Sequence, residues 1–313
     1  ARLSVRYVHK KERVLVGFRE RYGRFVADMQ ECHVLDERIA GQLTALSELI
    51  YSLEARRTIP QIEVACGDEK CALVFRHLEP LSDDDLEKLK AYAVHSGIAV
   101  MLQPGGPATV HGLQPNEVQL GFSFPEFGLD LEFAPSDFIQ VNAAMNRSMV
   151  SRALELLDPD PDDRILDLFC GLGNFTLPIA GKAGEVVGVE GDAELVRKAT
   201  ENAARNGLDN VRFFTADLTE EPGAAAWLSQ GYDKVLVDPP RSGAEFILPH
   251  IAASGARRLV YVSCHPASLA RDAGILVHEY GFDLKGAGVM DMFPHTGHVE
   301  SIALFERKSG SRP

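Results

Sequence analysis

Apolar and polar positions change rhythm once along this chain. Up to residue 135 they alternate in steps of two at 2–8, 12–18 and 24–28, which predicts strands, whereas 34–56 (VLDERIAGQLTALSELIYSLEAR) spaces its apolar residues as one amphipathic helix. IEVACG and CALVFRHL predict a hairpin around Gly67 and Asp68, SDDDLEKLKAYAVHSG a helix opened by Ser82, and IAVMLQPGG a strand stopped by glycines. From residue 136 strands and helices alternate singly: RILDLF, a glycine loop and a helix, EVVGVE, a helix from Asp192 to Asn206, VRFFTAD, a helix, KVLVDPP, a helix, RLVYVSC, a helix, and two closing strands. Single helices between strands imply parallel pairing through right-handed crossovers. The expected fold class is therefore α/β: a doubly wound, mostly parallel, Rossmann-like domain over 136–313, preceded by a smaller α+β domain over 1–135.

A hydrophobic share of 45% and a charged share of 25% are those of an ordinary globular protein. No apolar run approaches the ~20 residues of a membrane helix, and the opening ARLSVRYVHKKERV lacks the apolar core of a signal peptide, so a cytoplasmic location without membrane contact is expected. The start at Ala1, without methionine, reads as that of a fragment. Five cysteines, an odd number, point to reduced thiols rather than a disulfide framework. The net charge of -13 argues against a nucleic-acid binder, because phosphate contacts supply most non-specific affinity. Its distribution argues the other way: Arg2, Arg6, Lys10, Lys11, Arg13, Arg19, Arg21 and Arg24 stand against only Glu12 and Glu20, a local excess of +6. Such a stripe can seat an RNA backbone, although a solvated charged hairpin has the same composition.

Ligands of doubly wound sheets lie beyond the carboxyl ends of the strands, and the motifs fall there. Asp167-Leu-Phe-Cys-Gly171-Leu-Gly173-Asn174 ends one strand, and Glu190 ends the next, 23 residues after Asp167. Glycines let a cofactor approach the backbone, and an acid at that distance can accept both hydroxyls of a ribose. Dinucleotide enzymes share this logic. Three details favour S-adenosylmethionine: the loop reads D-x-F-x-G-x-G, Asp217 at the third strand is placed to meet an adenine edge, and Asp238-Pro239-Pro240 ends the fourth strand. Asp217 could equally be a helix N-cap.

The fifth strand delivers Cys264, followed by His265-Pro266. Carbon 5 of uracil is a poor nucleophile until something adds to carbon 6, and a thiolate is suited both to that addition and to leaving later. At the start of a helix the thiolate of Cys264 is expected to be favoured by amide donors and the helix dipole. Removal of the carbon-5 proton needs a general base, and Glu300 at the start of the last strand supplies a carboxylate. Alternatively Cys264 is an inert packed thiol and Glu300 an exposed strand-end charge. His295 and His298 have no third ligand at matching spacing, which argues against a metal pair. A cytosine-5 enzyme places its cysteine after the first proline of the fourth-strand motif, where Pro240 stands here. An exocyclic-amine methyltransferase has an aromatic residue where Arg241 stands.

The set FIQVN (138–142), DLFCGLGNFT (167–176), GVEG (188–191), DPPRSG (238–243), SCHPASLARD (263–272) and DMFPHTGHVES (291–301) resembles the RNA 5-methyluridine methyltransferase family, and within it the bacterial enzymes that modify 23S ribosomal RNA. The likeness spans nearly the whole chain. It implies a class I methyltransferase domain, Cys264 as nucleophile and Glu300 as base, with S-adenosylmethionine and active-site contacts from Gln140, Phe169, Asn174, Glu190, Asp217 and Asp238. It also implies stacking of Phe138 on RNA, 23S ribosomal RNA as partner, and a monomer. The same chemistry on transfer RNA, or a non-catalytic RNA-binding or folding module, are the alternatives. His265 stands where the family often has asparagine. Family members of this type carry an N-terminal RNA-binding β-barrel (the TRAM domain) and a 4Fe-4S cluster. Cys32 matches the last cluster ligand, but no residues here match the other three. Cys66 and Cys71 fall outside the family's ligand positions and are expected in the hairpin core, with a compensating metal role as the alternative. The chain as given is therefore expected to hold no complete cluster.

Overall fold

In the first half the period-two segments build a six-stranded sheet. β1 (Arg2–Val8) and β2 (Arg13–Gly17) pair antiparallel and turn Leu3, Val5, Val14 and Val16 into the core. The segment expected as a third strand, 24–28, makes only an isolated bridge between Val26 and Arg19. The single helix expected over 34–56 is broken into α1 (Glu37–Ala40) and α2 (Leu43–Ser52). Gly41 weakens a helix interior by about 1 kcal/mol, and the Ala40 carbonyl, which a continuous helix would use, accepts the Cys32 N–H at 3.1 Å.

β3 (Gln61–Cys66) and β4 (Cys71–Arg76) form the predicted hairpin, with Gly67 N–H donating to Lys70 O at 2.8 Å across the turn. Its register sets Cys66 directly opposite Cys71, and the two are joined as a disulfide. This corrects the expectation of reduced thiols throughout: cross-strand pairing brings their Cα atoms to 4.1 Å, and an odd cysteine count does not exclude one local bond. Ser82 opens α3 (Asp83–Ser96), its hydroxyl accepting the Asp85 N–H at 3.3 Å. β5 (Ala99–Gln103), parallel to β4, and the short β6 (His111–Gly112) complete the order β2-β1-β3-β4-β5-β6. β7 (Leu120–Phe124) and β8 (Leu129–Phe133) pair as a separate two-stranded sheet.

The second half begins with α4 (Ala143–Leu157), capped by Asn142, whose side chain accepts the Met145 N–H at 3.1 Å. There follow β9 (Arg164–Leu168), α5 (Thr176–Ala180), β10 (Glu185–Glu190), α6 (Ala193–Arg205) and β11 (Val211–Thr215). β12 (Lys234–Val237), α7 (Leu248–Ala253), β13 (Arg258–Ser263), α8 (Pro266–His278), β14 (Phe282–Met290) and β15 (Glu300–Arg307) complete the chain. The strand order is β11-β10-β9-β12-β13-β15-β14. β9 to β13 are parallel, and β15 runs antiparallel between β13 and β14. The winding reverses between β9 and β12, so a crevice opens at their carboxyl ends. Among the described residues no helix joins β11 to β12, contrary to the sequence pattern. Turns there bury Trp227 in the core, and Tyr232 Oη donates to its carbonyl at 2.7 Å.

These features come from a computed structural model that describes residues 1–113, 118–221, 223 and 225–308. The chain divides into two compact units, Ala1–Phe122 with Glu132–Asp137, and Ser123–Leu131 with Phe138–Pro313. Each has its own core, the first around Leu3, Ile62, Leu73 and Phe75, the second around Leu168, Val189, Val237, Tyr261 and Phe305. Among the described residues no helix is long and apolar enough to cross a membrane.

Candidate active site

β9 carries Asp167 into the interior, where Thr176 Oγ1 donates to its Oδ2 at 2.5 Å while Oδ1 has no partner among the described residues. Burial, with Glu190 nearby, pushes its carboxyl up to about 7. The chain then makes a tight turn: Phe169 (φ 62°), Gly171 (φ 55°) and Gly173 (φ 91°) are all left-handed. A Cβ on Gly173 would lie 2.2 Å from Leu177 Cδ1, whereas one on Gly171 would meet nothing within 4 Å. Glycine at 173 is favoured by its left-handed backbone as well as by the Leu177 side chain, and the space over Gly171 is open. Glu190 stitches this turn to the end of β10, Oε2 accepting the Gly171 N–H at 3.1 Å and Oε1 the N–H groups of Gly191 at 2.7 Å and Asp192 at 3.1 Å.

Asn174 exchanges two hydrogen bonds, of 2.8 and 3.0 Å, with the buried Asn146 of α4. Gln140 lies partly exposed two residues before the cap of that helix, and Phe138 is 74% exposed. Asp217 follows β11 on a cavity of about 390 Å³ shared with Phe214, Ala216, Glu220 and Trp227. Its carboxylate accepts the Thr219 N–H at 2.8 Å and the Thr219 hydroxyl at 2.6 Å, which hold its pKa down.

One residue beyond β12 stands Asp238, whose N–H donates to Leu168 O at 3.3 Å. Burial first, then Glu300 and Asp167, push its carboxyl up to about 8. The loop after it is tied to α8. Ser268 Oγ donates to Arg241 O at 2.5 Å, Arg271 Nη2 to Ser242 O at 2.8 Å, and the Ala244 N–H to the fully buried Asp272 at 2.7 Å. Tyr261 Oη of β13 donates to the same Asp272 oxygen at 2.6 Å. The loop carrying Arg241 and the helix following Cys264 are thus one hydrogen-bonded unit.

Cys264 stands one residue beyond β13 and half buried. Burial and then the carboxylates of Glu300 and Asp238 raise its pKa, while the Arg241 guanidinium opposes them. This corrects the expectation that the start of α8 favours the thiolate. Pro266 has no N–H to offer, the His265 N–H is taken by Ser263 Oγ at 3.1 Å, and two nearby carboxylates outweigh one arginine. Glu300 opens β15 and is 2% exposed; burial raises its pKa. Cys264, Glu300, Asp238 and Asp167 thus share one electrostatic neighbourhood, which Glu190 joins through Asp167.

The sequence pattern marked Arg241 only as a non-aromatic residue after the two prolines; its place beside Cys264, with Nη2 3.0 Å from His298 Nδ1, and the Asn146, Ser268 and Asp272 contacts had no sequence signal that was used. A signal for Asp272 was present: Leu269, Asp272 and Leu276 share one buried helical face, so an acid sits on an apolar stripe and needs partners.

Cys32 is buried in the core of the first unit. The sulfurs of Cys66 and Cys71 are bonded to each other, and with Asp36 lie within 4.8 Å of one another. Among the described residues of this unit that leaves Cys32 as the one free thiol, which does not fit the four thiolates a 4Fe-4S cluster takes.

A family model described as tRNA (uracil-5-)-methyltransferase matches residues 128–308. A protein of Xanthomonas oryzae pv. oryzae named 23S rRNA (uracil(1939)-C(5))-methyltransferase RlmD is 56% identical over 307 residues, 98% of this chain and 69% of that protein. One of the same name from Stenotrophomonas maltophilia is 54% identical over the same shares. The crystal structure of Pyrococcus abyssi tRNA (uracil-54, C5)-methyltransferase in complex with S-adenosyl-L-homocysteine superposes with a TM-score of 0.75, covering 97% of this chain and 74% of that one. At 22% identity that likeness shows the Rossmann-like methyltransferase fold. On the family match and these identities together, the chain belongs to the tRNA (uracil-5-)-methyltransferase family.

Proposed function

We propose that this chain methylates carbon 5 of a uridine in 23S ribosomal RNA, with Cys264 as covalent nucleophile and Glu300 as general base. The observation that carries the reading is that Cys264, one residue beyond β13, and Glu300, the first residue of the adjacent β15, meet at the carboxyl end of the sheet, where after burial the charge of Glu300 helps to raise the pKa of the thiol. The named function of the relatives at 54–56% identity supports 23S RNA as substrate.

The residues present suit S-adenosylmethionine: open space over Gly171, an acid at Glu190 beside it, and a cavity at Asp217. Glu190 and Asp217 would hold its ribose and base, with Gln140, Phe169, Asn174 and Asp238 completing the enclosure. When bound, it supplies a methyl group activated on a sulfonium. The target uridine is unstacked to reach the site, because carbon 6 is inaccessible within a stack. Cys264 adds to carbon 6 as the thiolate, forming the C–S bond and moving electron density to carbon 5, which would displace the methyl group from the sulfonium and leave the donor sulfur as a neutral thioether. Glu300 then accepts the carbon-5 proton, the C–S bond breaks, and its electron pair returns to sulfur. Arg241 favours the charged thiolate, and Phe138 stacks on RNA.

Incubation with unmodified 23S RNA and tritiated cofactor, followed by mapping of the labelled base, tests this reading. Label at carbon 5 of one uridine is expected, and none with Cys264→Ala. Label only in transfer RNA would replace the substrate, and undiminished transfer by Cys264→Ala would remove the mechanism.

A further inference from the structure

Beyond β2 the chain folds back on itself into a narrow tip. Glu20 N–H donates to Phe25 O at 3.0 Å, Gly23 N–H to Glu20 O at 3.1 Å, and Arg19 bridges Val26. Tyr22 at the apex takes φ 63°, a conformation a bulky L-residue rarely adopts, and is 94% exposed. Phe25 is 57% exposed. Each ring is backed by a cation: the Arg21 guanidinium lies 5.1 Å from the Tyr22 centroid, and that of Arg24 5.9 Å from the Phe25 centroid. Arg6 Nη1 reaches the Arg24 carbonyl at 3.4 Å, and Arg19 Nε the Ser4 hydroxyl at 3.3 Å.

The charges differ from those nearby. Lys11 and Arg13 both spend theirs on Asp28, at 3.1 and 2.6 Å. Among the described residues no carboxylate pairs with Arg6, Arg19, Arg21 or Arg24. A chain of net charge -13 thus concentrates four uncompensated arginines beside two exposed aromatic rings. Solvated rings do nothing for the core, and Tyr22 holds a strained backbone besides. Aromatic faces interleaved with guanidinium groups are complementary to nucleobase faces joined by phosphates. A duplex keeps its base faces covered, so the rings would find nothing to stack on there.

We propose that this tip is a base-stacking platform for an unpaired stretch of RNA, with Tyr22 and Phe25 each receiving a base and the four arginines following the phosphates. It rests on the reading of the chain as an RNA methyltransferase and names where that RNA is gripped.

The test titrates the whole chain and its Tyr22→Ala/Phe25→Ala variant against a single-stranded oligoribonucleotide containing 2-aminopurine, and against a duplex of equal length. Stacking is worth ~1–3 kcal/mol per base, so the double variant is expected to bind the single strand about ten-fold or more weakly and to lose the fluorescence quench, with duplex affinity unchanged. The variant Tyr22→Phe/Phe25→Tyr keeps both rings and is expected to keep both signals. Arg21→Ala/Arg24→Ala should lower the salt slope by roughly 0.7 for each phosphate that is no longer neutralised. In methyl transfer to 23S RNA, loss of the rings should raise KM and leave kcat in place. Unchanged single-strand affinity, equal losses on single strand and duplex, or tighter binding to phosphatidylserine vesicles than to RNA would each overturn the platform. If wild type methylates RNA and ring loss changes nothing, the platform alone fails. If wild type neither binds nor methylates RNA, the methyltransferase reading fails and the platform with it.

Discussion

Ser301 donates its hydroxyl to the carbonyl of Ser263 at 3.0 Å, and the two are partners across β13 and β15. Cys264 and Glu300 are the chain neighbours of this last pair: Glu300 opens β15, and Cys264 lies at the bend where the chain leaves β13. β15 is the strand that runs against its parallel neighbours, and that is why its first residue lies at the same end of the sheet as their last. Main-chain pairing up to Ser263 and Ser301 therefore brings the thiol and the carboxylate to one end of the sheet.

If the carboxylate removes the carbon-5 proton, Glu300→Gln should stop the reaction after the methyl group has moved. A protein–RNA band resistant to denaturing gel electrophoresis and carrying tritium from the methyl donor is expected, with multiple turnover reduced by at least ~100-fold. A variant that turns over normally, or one that accumulates an unmethylated adduct, would contradict the role.

The raised pKa of Cys264 gives a second measurement that needs no RNA. Iodoacetamide reacts with the thiolate, and Cys32 and Cys170 are buried, so alkylation reports Cys264. Its rate should rise with pH to a midpoint above that of an ordinary thiol. Asp238→Asn and Glu300→Gln each remove a charge that raises the midpoint and should move it down, while Arg241→Met should move it up. A midpoint insensitive to all three would show that the groups do not face one another.

How much of the fold and site was legible in the sequence follows from range. Asp167, Glu190, Asp238 and Cys264 were readable as candidates because each lies within one residue of the carboxyl end of a strand of strongly apolar pattern, and strand ends of a doubly wound sheet converge. The two caps Ser82 and Asn142 differ in the same way: the first was marked by its own helix pattern, the second lay inside a motif read for chemistry. Range also explains the failures. The break at Gly41 depends on Cys32 bonding to Ala40, the disulfide on cross-strand register, and the rise of the Cys264 pKa on burial and then on Glu300, 36 positions later in sequence. No local pattern carries such contacts.

The bonds around Asp272 predict a stability effect at a residue with no assigned chemistry. Its carboxylate is fully buried, with partners in Ala244 N–H, Tyr261 Oη and Arg271 Nε at 2.7, 2.6 and 2.8 Å. Asp272→Ala should cost about 3–5 kcal/mol, as breaking a buried charged network does. Tyr261→Phe, which removes one bond to a charged acceptor, should cost about 1.5–3 kcal/mol. Urea unfolding of the two variants checks the order. Equal or negligible losses would mean that the loop after β12 is not held by this network.

Asp167 predicts the pH dependence of that stability. Its ordinary value is 3.8 and its folded value about 7, so between these the folded chain keeps a proton that the unfolded chain has lost. By linkage, stability from this group is fully present below 3.8 and is lost as pH rises through 7, a total on the order of 4 kcal/mol. Asp238, pushed up to about 8, acts in the same direction. Asp167→Asn keeps an acceptor for Thr176 and removes the charge. Measured by urea unfolding without cofactor, it should match wild type near pH 4 and exceed it by roughly 1–4 kcal/mol at pH 8. An advantage independent of pH would place the ionisation elsewhere, and a loss at pH 8 would mean that the charged carboxylate is held by bonds that the fold in isolation does not display.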